Sequence, residues 1–150
     1  MRVLDEAHIP YSVRTYKVDA EHLDALSVAQ MINLEPRQVC KTIVCRNERA
    51  KILLFCVPGG MKIDLKGAAS ISGSKKISLV EQSELKGLTG YIRGGVSPLA
   101  MRRLYPLFLE SCVRQFTTIA VSGGLRGVQL LLSPRDLLKI SGGNYGEFSF

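Results

Sequence analysis

Two apolar runs, residues 39–46 and 50–57, flank the polar triplet Asn47-Glu48-Arg49, and no other feature narrows the fold as much. That pattern is a β-hairpin. Around it the chain alternates between strand and helix signals. Residues 11–17 alternate in the manner of a strand, and residues 25–33 have helical spacing with Val28, Met31 and Ile32 on one side. Residues 1–7 read as the last two turns of a short helix, ended by His8-Ile9-Pro10. Asp64 is a good N-cap for a helix through Ser72, with Gly73 just past its end. A short strand over 76–80 and a short helix over 81–88 follow. Ser97-Pro98 reads as a helix start, a hydroxyl cap with proline at the first helical position, and Pro106 as that helix's end. Strands over 116–122 and 128–132 surround a glycine-rich turn, and residues 134–140 form a closing helix. Strands and helices so interspersed predict an α+β fold, a mixed, curved sheet with helices against it. No linker or repeat divides residues 1–150, so one domain is expected.

Composition excludes some classes. With 46% apolar and 22% charged residues the chain is globular, and 150 residues can bury about two-thirds of their surface without a disulfide or metal staple. No apolar run approaches the ~18 residues of a membrane-spanning helix. The N-terminus lacks an apolar signal-peptide core, so a cytoplasmic protein with four reduced thiols is expected. Lys and Arg total 20 against 13 acids, a formal charge of +7. That excess suits a polyanion such as a nucleic acid, or simply a basic, soluble surface. The bases fall near turns: Lys62/Lys66, Lys75/Lys76, Arg93, Arg102/Arg103 and Arg126.

Familiar catalytic signatures are missing. No Cys-x-x-Cys occurs, and His8 and His22 are the only histidines, so no metal site is expected. The cysteines read as small buried hydrophobes, unless a tertiary contact pairs one with a histidine. Eight of the 14 glycines form the doublets Gly59-Gly60, Gly94-Gly95, Gly123-Gly124 and Gly142-Gly143. A doublet is either a turn needing positive φ or a loop of bare N–H groups able to hold a phosphate or an oxyanion. Lys41, among apolar neighbours of its strand, either reaches the rim or enters a pocket with an anionic ligand.

Three segments taken together resemble the YbaK/EbsC family of aminoacyl-tRNA deacylases. These are Val39-Cys40-Lys41-Thr42-Ile43-Val44, Thr89-Gly90-Tyr91-Ile92-Arg93-Gly94-Gly95-Val96-Ser97-Pro98-Leu99, and Val121-Ser122-Gly123-Gly124-Leu125-Arg126-Gly127. Ile9-Pro10-Tyr11, Thr15-Tyr16 and residues 68–80 add to the likeness, which covers nearly the whole chain. The resemblance implies a compact mixed β-barrel ringed by helices, related to the editing domain of bacterial prolyl-tRNA synthetases. It implies removal of a wrong amino acid from tRNA, typically Cys from tRNA(Pro), with the substrate thiol attacking its own ester and leaving as a thiolactone. Prolyl-tRNA synthetase is the implied partner, and no cofactor is implied.

By the same resemblance Lys41 contacts the terminal adenosine or its phosphate, and the backbone of Gly94, Gly95 and Val96 serves the ester carbonyl. The helix expected at Ser97 and Pro98 would add its dipole. Tyr16 and Thr42 line the pocket, and Ser122, Gly123, Gly124, Arg126 and Gly127 close its other wall. Lys75, Lys76, Arg102 and Arg103 would meet the tRNA backbone. Three residues depart from the family pattern: Ala100 where glycine is usual, Leu125 for a lysine, and Gln129 where an acidic residue is common. The first helix is also about a turn short. Hydrolysis of Ala-tRNA(Pro) by water and a non-catalytic tRNA- or synthetase-binding module are the alternatives.

Overall fold

The computed structural model describes residues 1–19 and 21–150. The hairpin is its centre: β2 (Cys40–Asn47) and β3 (Ile52–Pro58) pair antiparallel, from Cys40 opposite Pro58 to Arg46 opposite Ile52. Its turn is built by Asn47, whose Oδ1 accepts from the Arg49 and Lys51 N–H groups at 2.9 and 3.0 Å. Every position of β3 is buried. Alternate side chains point to opposite faces of a strand, so Leu54 and Cys56 enter one apolar cluster while Leu53, Phe55 and Val57 enter another. Phe55 stacks on Phe108 at 5.3 Å and meets Phe148 edge-on at 5.1 Å.

β4 (Ile77–Leu79) pairs antiparallel with β2, while β5 (Leu107–Glu110) and then β8 (Asn144–Gly146) extend the sheet parallel to β3. The five-stranded order is β4-β2-β3-β5-β8. A second, antiparallel sheet has the order β1-β7-β6, from β1 (Ser12–Thr15), β6 (Ile119–Ser122) and β7 (Val128–Leu132). A Val39–Ala120 bridge joins the two sheets. Among the described residues the two joined sheets give a mixed wall with no ladder that closes it into a barrel.

α1 (Arg2–Glu6) and α4 (Leu85–Thr89) are short. α2 (Ala25–Met31) covers the junction of the sheets, burying Val28, Ala29 and Ile32 with Val39, Ala120 and Leu131. Met31, expected on the same side as Val28 and Ile32, is 40% exposed, and Ala29 is buried with them instead. α3 (Leu65–Ser72) follows the expected Asp64 cap, and Gly73 ends it at φ +68°. α5 (Pro134–Ser141) is capped by Ser133, whose side chain accepts from the Asp136 N–H. Among the described residues, no helix is long and apolar enough to cross a membrane.

The helix expected at Ser97-Pro98 does not form; the chain from 97 to 105 is irregular. Ser97 is fully buried, and its hydroxyl accepts from the Leu99 N–H at 3.2 Å. That bond has the same two-residue span as the one by which Asp64 caps α3, so it is the backbone beyond it that stops a helix from following. Ala100 then takes φ +53°, which a right-handed helix cannot accommodate. The Tyr91 hydroxyl donates to the Leu99 and Ala100 carbonyls at 2.6 and 3.2 Å, fixing that path. Pro106 consequently ends no helix. It leads into β5, with its carbonyl accepting from Leu54.

Candidate functional site

A cavity of about 170 Å³ opens where the two sheets and α2 meet. Its walls bring together Tyr16, Lys41, Thr42, Gly94, Val96 and Ser122, six of the residues singled out in the sequence. Arg93, Cys40 and Gln129 complete its polar lining.

The sequence order of these residues hides how they meet. Lys41 lies on β2 two residues past the Val39 bridge, with an exposed side chain that enters none of the ion pairs among the described residues. Thr42 faces inward, its hydroxyl 3.8 Å from the Cys56 sulfur. The 93–96 loop approaches from the far side. Within it the Gly95 N–H already donates to the Ile92 carbonyl at 2.9 Å, closing a tight turn. Gly95 is therefore not a free donor, contrary to expectation. The N–H groups of Gly94 and Val96 make no such bond among the described residues, and both residues line the cavity.

The third glycine segment lies mostly behind the wall. Ser122 reaches the cavity, while its hydroxyl accepts from the Gly124 N–H at 3.1 Å. Arg126 Nε donates to the Arg93 carbonyl at 2.8 Å, tying this turn to the 93–96 loop. The Gly127 carbonyl accepts from the Tyr16 N–H at 3.0 Å, which sets where Tyr16 enters. A Cβ on Gly127 would lie 2.9 Å from the Tyr16 carbonyl oxygen, so only glycine permits that approach. Gly123, Gly124, Arg126 and Gly127 thus buttress the site from outside the cavity surface.

Ser97 and Pro98 also stand outside it. Ser97 is buried in its turn, and Pro98 lines a separate depression. Since no helix begins there, Ser97 brings no helix dipole to the site. Lys75 and Lys76 lie beyond the Asn47 end of β2, where their N–H groups donate to Glu48. Six strand residues separate that end from Lys41, about 20 Å at 3.3 Å each. Arg102 and Arg103 are exposed on the irregular segment after Ser97.

Lys41 and Arg93 are the charged residues of the cavity lining, and among the described residues that lining contains no carboxylate. Cys40 reaches the cavity, but burial pushes its thiol well above its ordinary value. Burial also pushes Cys56 up to about 12, although its contact with Thr42 pulls the other way. Neither is a ready thiolate. Among the described residues, no group of three or more His, Cys, Asp or Glu side chains is placed to hold a metal.

The sequence reading did not assign Gln129 or Arg93 to the site. The period of two along β7 carried a signal, because Gln129 must share a face with the buried Leu131. Arg93 is brought to the wall by the turn that its neighbours Gly94 and Gly95 permit.

The aminoacyl-tRNA editing domain model matches residues 20–140. This chain belongs to the aminoacyl-tRNA editing domain family. A relative from Enterococcus faecalis, assigned as the Cys-tRNA(Pro)/Cys-tRNA(Cys) deacylase EbsC, is 34% identical across 99% of this chain and 91% of its own length. Among solved structures, hypothetical protein APE2540 superposes with a TM-score of 0.90 at 18% identity, over 99% of this chain and 97% of that one. A protein assigned as a trans-editing enzyme for prolyl tRNA synthetase superposes at 0.84 with 23% identity, over 99% and 93%. At such identities the structures establish a shared fold. The α+β architecture of this editing domain is theirs.

Proposed function

We propose that this editing domain, residues 1–150 acting as one unit, deacylates mischarged aminoacyl-tRNA, with Cys-tRNA(Pro) as its substrate. The observation that carries the reading is the meeting of Lys41, Gly94, Val96 and Tyr16 around one cavity that, among the described residues, offers no side-chain nucleophile with a base. The likeness to EbsC over nearly the full chain supports the substrate.

An ester carbonyl under attack develops negative charge, which fixed N–H donors stabilise without reorganising. The Gly94 and Val96 N–H groups would take that role. Lys41 would hold the phosphate or adenosine of the tRNA end, setting the ester against those donors. The cysteinyl thiol then supplies the nucleophile. Its sulfur bonds to the carbonyl carbon, the ester C–O bond breaks, and the thiol proton passes to the departing ribose hydroxyl. The products are a thiolactone and free tRNA.

Lys75, Lys76, Arg102 and Arg103 would contact the tRNA backbone away from the cavity, and such contacts weaken as salt rises. Prolyl-tRNA synthetase is the proposed partner, as the source of the mischarged tRNA.

The test is incubation of purified protein with Cys-tRNA(Pro) and Ala-tRNA(Pro), with product analysis. Loss of Cys faster than the uncatalysed rate, with thiolactone among the products, is expected. Cleavage of Ala-tRNA(Pro) alone would point to water as nucleophile. Tight tRNA binding without cleavage of either ester would replace the enzyme by a binding module.

A further inference from the structure

Gln129 is 6% exposed, lies on the cavity wall, and carries a fully buried Oε1 with no hydrogen-bond partner. Buried amide oxygens are almost always paired, because one left bare has lost its bonds to water without replacement. The neighbouring wall hydroxyls already have partners, Ser122 accepting from Gly124 and Thr42 lying against Cys56, whereas the Gln129 oxygen has none. The oxygen itself has no free surface while the residue lines the cavity, so a donor that enters would meet it through a turn of the Gln129 amide.

Within the deacylase reading, an aminoacyl-adenosine ester brings three donors: the α-amino group, the adenine amine and the free ribose hydroxyl. The α-amino group is protonated for part of the time, and a charged donor costs most to bury unpaired. Among the described residues the lining holds no carboxylate, and its charged residues, Lys41 and Arg93, are cations. A neutral acceptor is the remaining way to receive an amine here. We infer that Gln129 Oε1 accepts a hydrogen bond from the α-amino group of the bound ester and makes the site selective for a free amine. Esters whose nitrogen is acylated, as in peptidyl-tRNA, would offer one N–H in place of several and add bulk at the same point.

The experiment compares cysteinyl-tRNA(Pro) with the same tRNA carrying 3-mercaptopropionate, which keeps the thiol and lacks the amine. Wild type is expected to favour the amino ester by about tenfold or more in kcat/KM. Gln129→Met, close in volume but without the acceptor, should bring that ratio towards one, and Gln129→Glu should preserve or raise it. An unchanged ratio in Gln129→Met, or no preference in wild type, overturns the inference. If Gln129→Met does not fold, Gln129→Glu is read alone, and a lower ratio than wild type overturns it. Binding of the two non-cleavable 3′-amide adenosine analogues separates this from the deacylase reading. Wild type that cleaves nothing yet binds the amino analogue more tightly, with the preference lost in Gln129→Met, would refute the deacylase and leave the amine site standing. Equal or absent binding of the two analogues would remove the amine site as well.

Discussion

Gly94 and Gly95 are adjacent, yet their environments demand opposite outcomes from the same substitution. Gly94 has φ +84°, and an added Cβ would lie 3.1 Å from Arg126 Nε and 3.3 Å from a Leu23 methyl. A left-handed conformation costs a non-glycine residue about 1–2 kcal/mol. Displacing Arg126 also weakens its 2.8 Å bond to the Arg93 carbonyl, worth ~1 kcal/mol net. Gly94→Ala should therefore lose about 2–3 kcal/mol, or roughly 4–12 °C in Tm for a chain of this size. Its activity should fall further than its stability, because the bond that yields is the one aligning the donors of the 93–96 loop. Misaligning an oxyanion donor costs up to ~10²-fold or more in kcat. Gly95 has no positive φ, and its added Cβ would meet its nearest neighbour at an ordinary 3.4 Å. Its N–H bond to Ile92 survives substitution. Gly95→Ala should stay within about 1 kcal/mol of wild type and keep its activity. Thermal unfolding and single-turnover deacylation of Cys-tRNA(Pro) check both variants below the melting temperature. Full activity in Gly94→Ala, or an equal loss in Gly95→Ala, would refute the role given to this loop.

Lys41→Ala should abolish turnover with little change in Tm, because the exposed ammonium holds no ion pair; a large fall in Tm would make this lysine structural. In the native protein a disulfide-exchange reagent at pH 8 should titrate Cys112, the one exposed thiol, and slowly, since burial beside Glu110 raises its pKa. Cys40, Cys45 and Cys56 should react only on unfolding. Ala100→Gly should stabilise by about 0.5–1 kcal/mol, since φ +53° strains alanine and not glycine. Hydrogen bonds from Arg46 hold Glu84 below its ordinary value of 4.5, and Lys75 N–H does the same for Glu48. Folded values below unfolded ones add stability above about pH 4.5 that is lost as the pH falls through the folded values. Tm should accordingly drop in that acid range, and less steeply in Glu84→Gln.

The elements that the sequence revealed are those whose signals are local. Asp64 and Gly73 bound α3 because a cap and a left-handed end act within one turn of chain, and the β2–β3 hairpin follows from two apolar runs around a polar break. The failures have a common cause. Ser97-Pro98 has the chemistry of a helix start, but Tyr91 and the left-handed Ala100 draw the segment into a turn. β5 was hidden because its pairing partners, β3 and β8, are distant in sequence and parallel, and β8 spans only three residues. In the site, Lys41 and both glycine segments were visible as motifs. Which of their N–H groups stay unbonded was not, because that depends on the Gly95–Ile92 bond.

The most direct test of the central claim is amide NMR during titration with a non-cleavable cysteinyl-adenosine analogue. If the three segments form one receptor, saturable shifts should appear together at Tyr16, Lys41–Thr42, Gly94–Val96 and Ser122, with Lys75, Lys76, Arg102 and Arg103 unmoved. Shifts confined to one segment, or centred on residues 97–105, would contradict it.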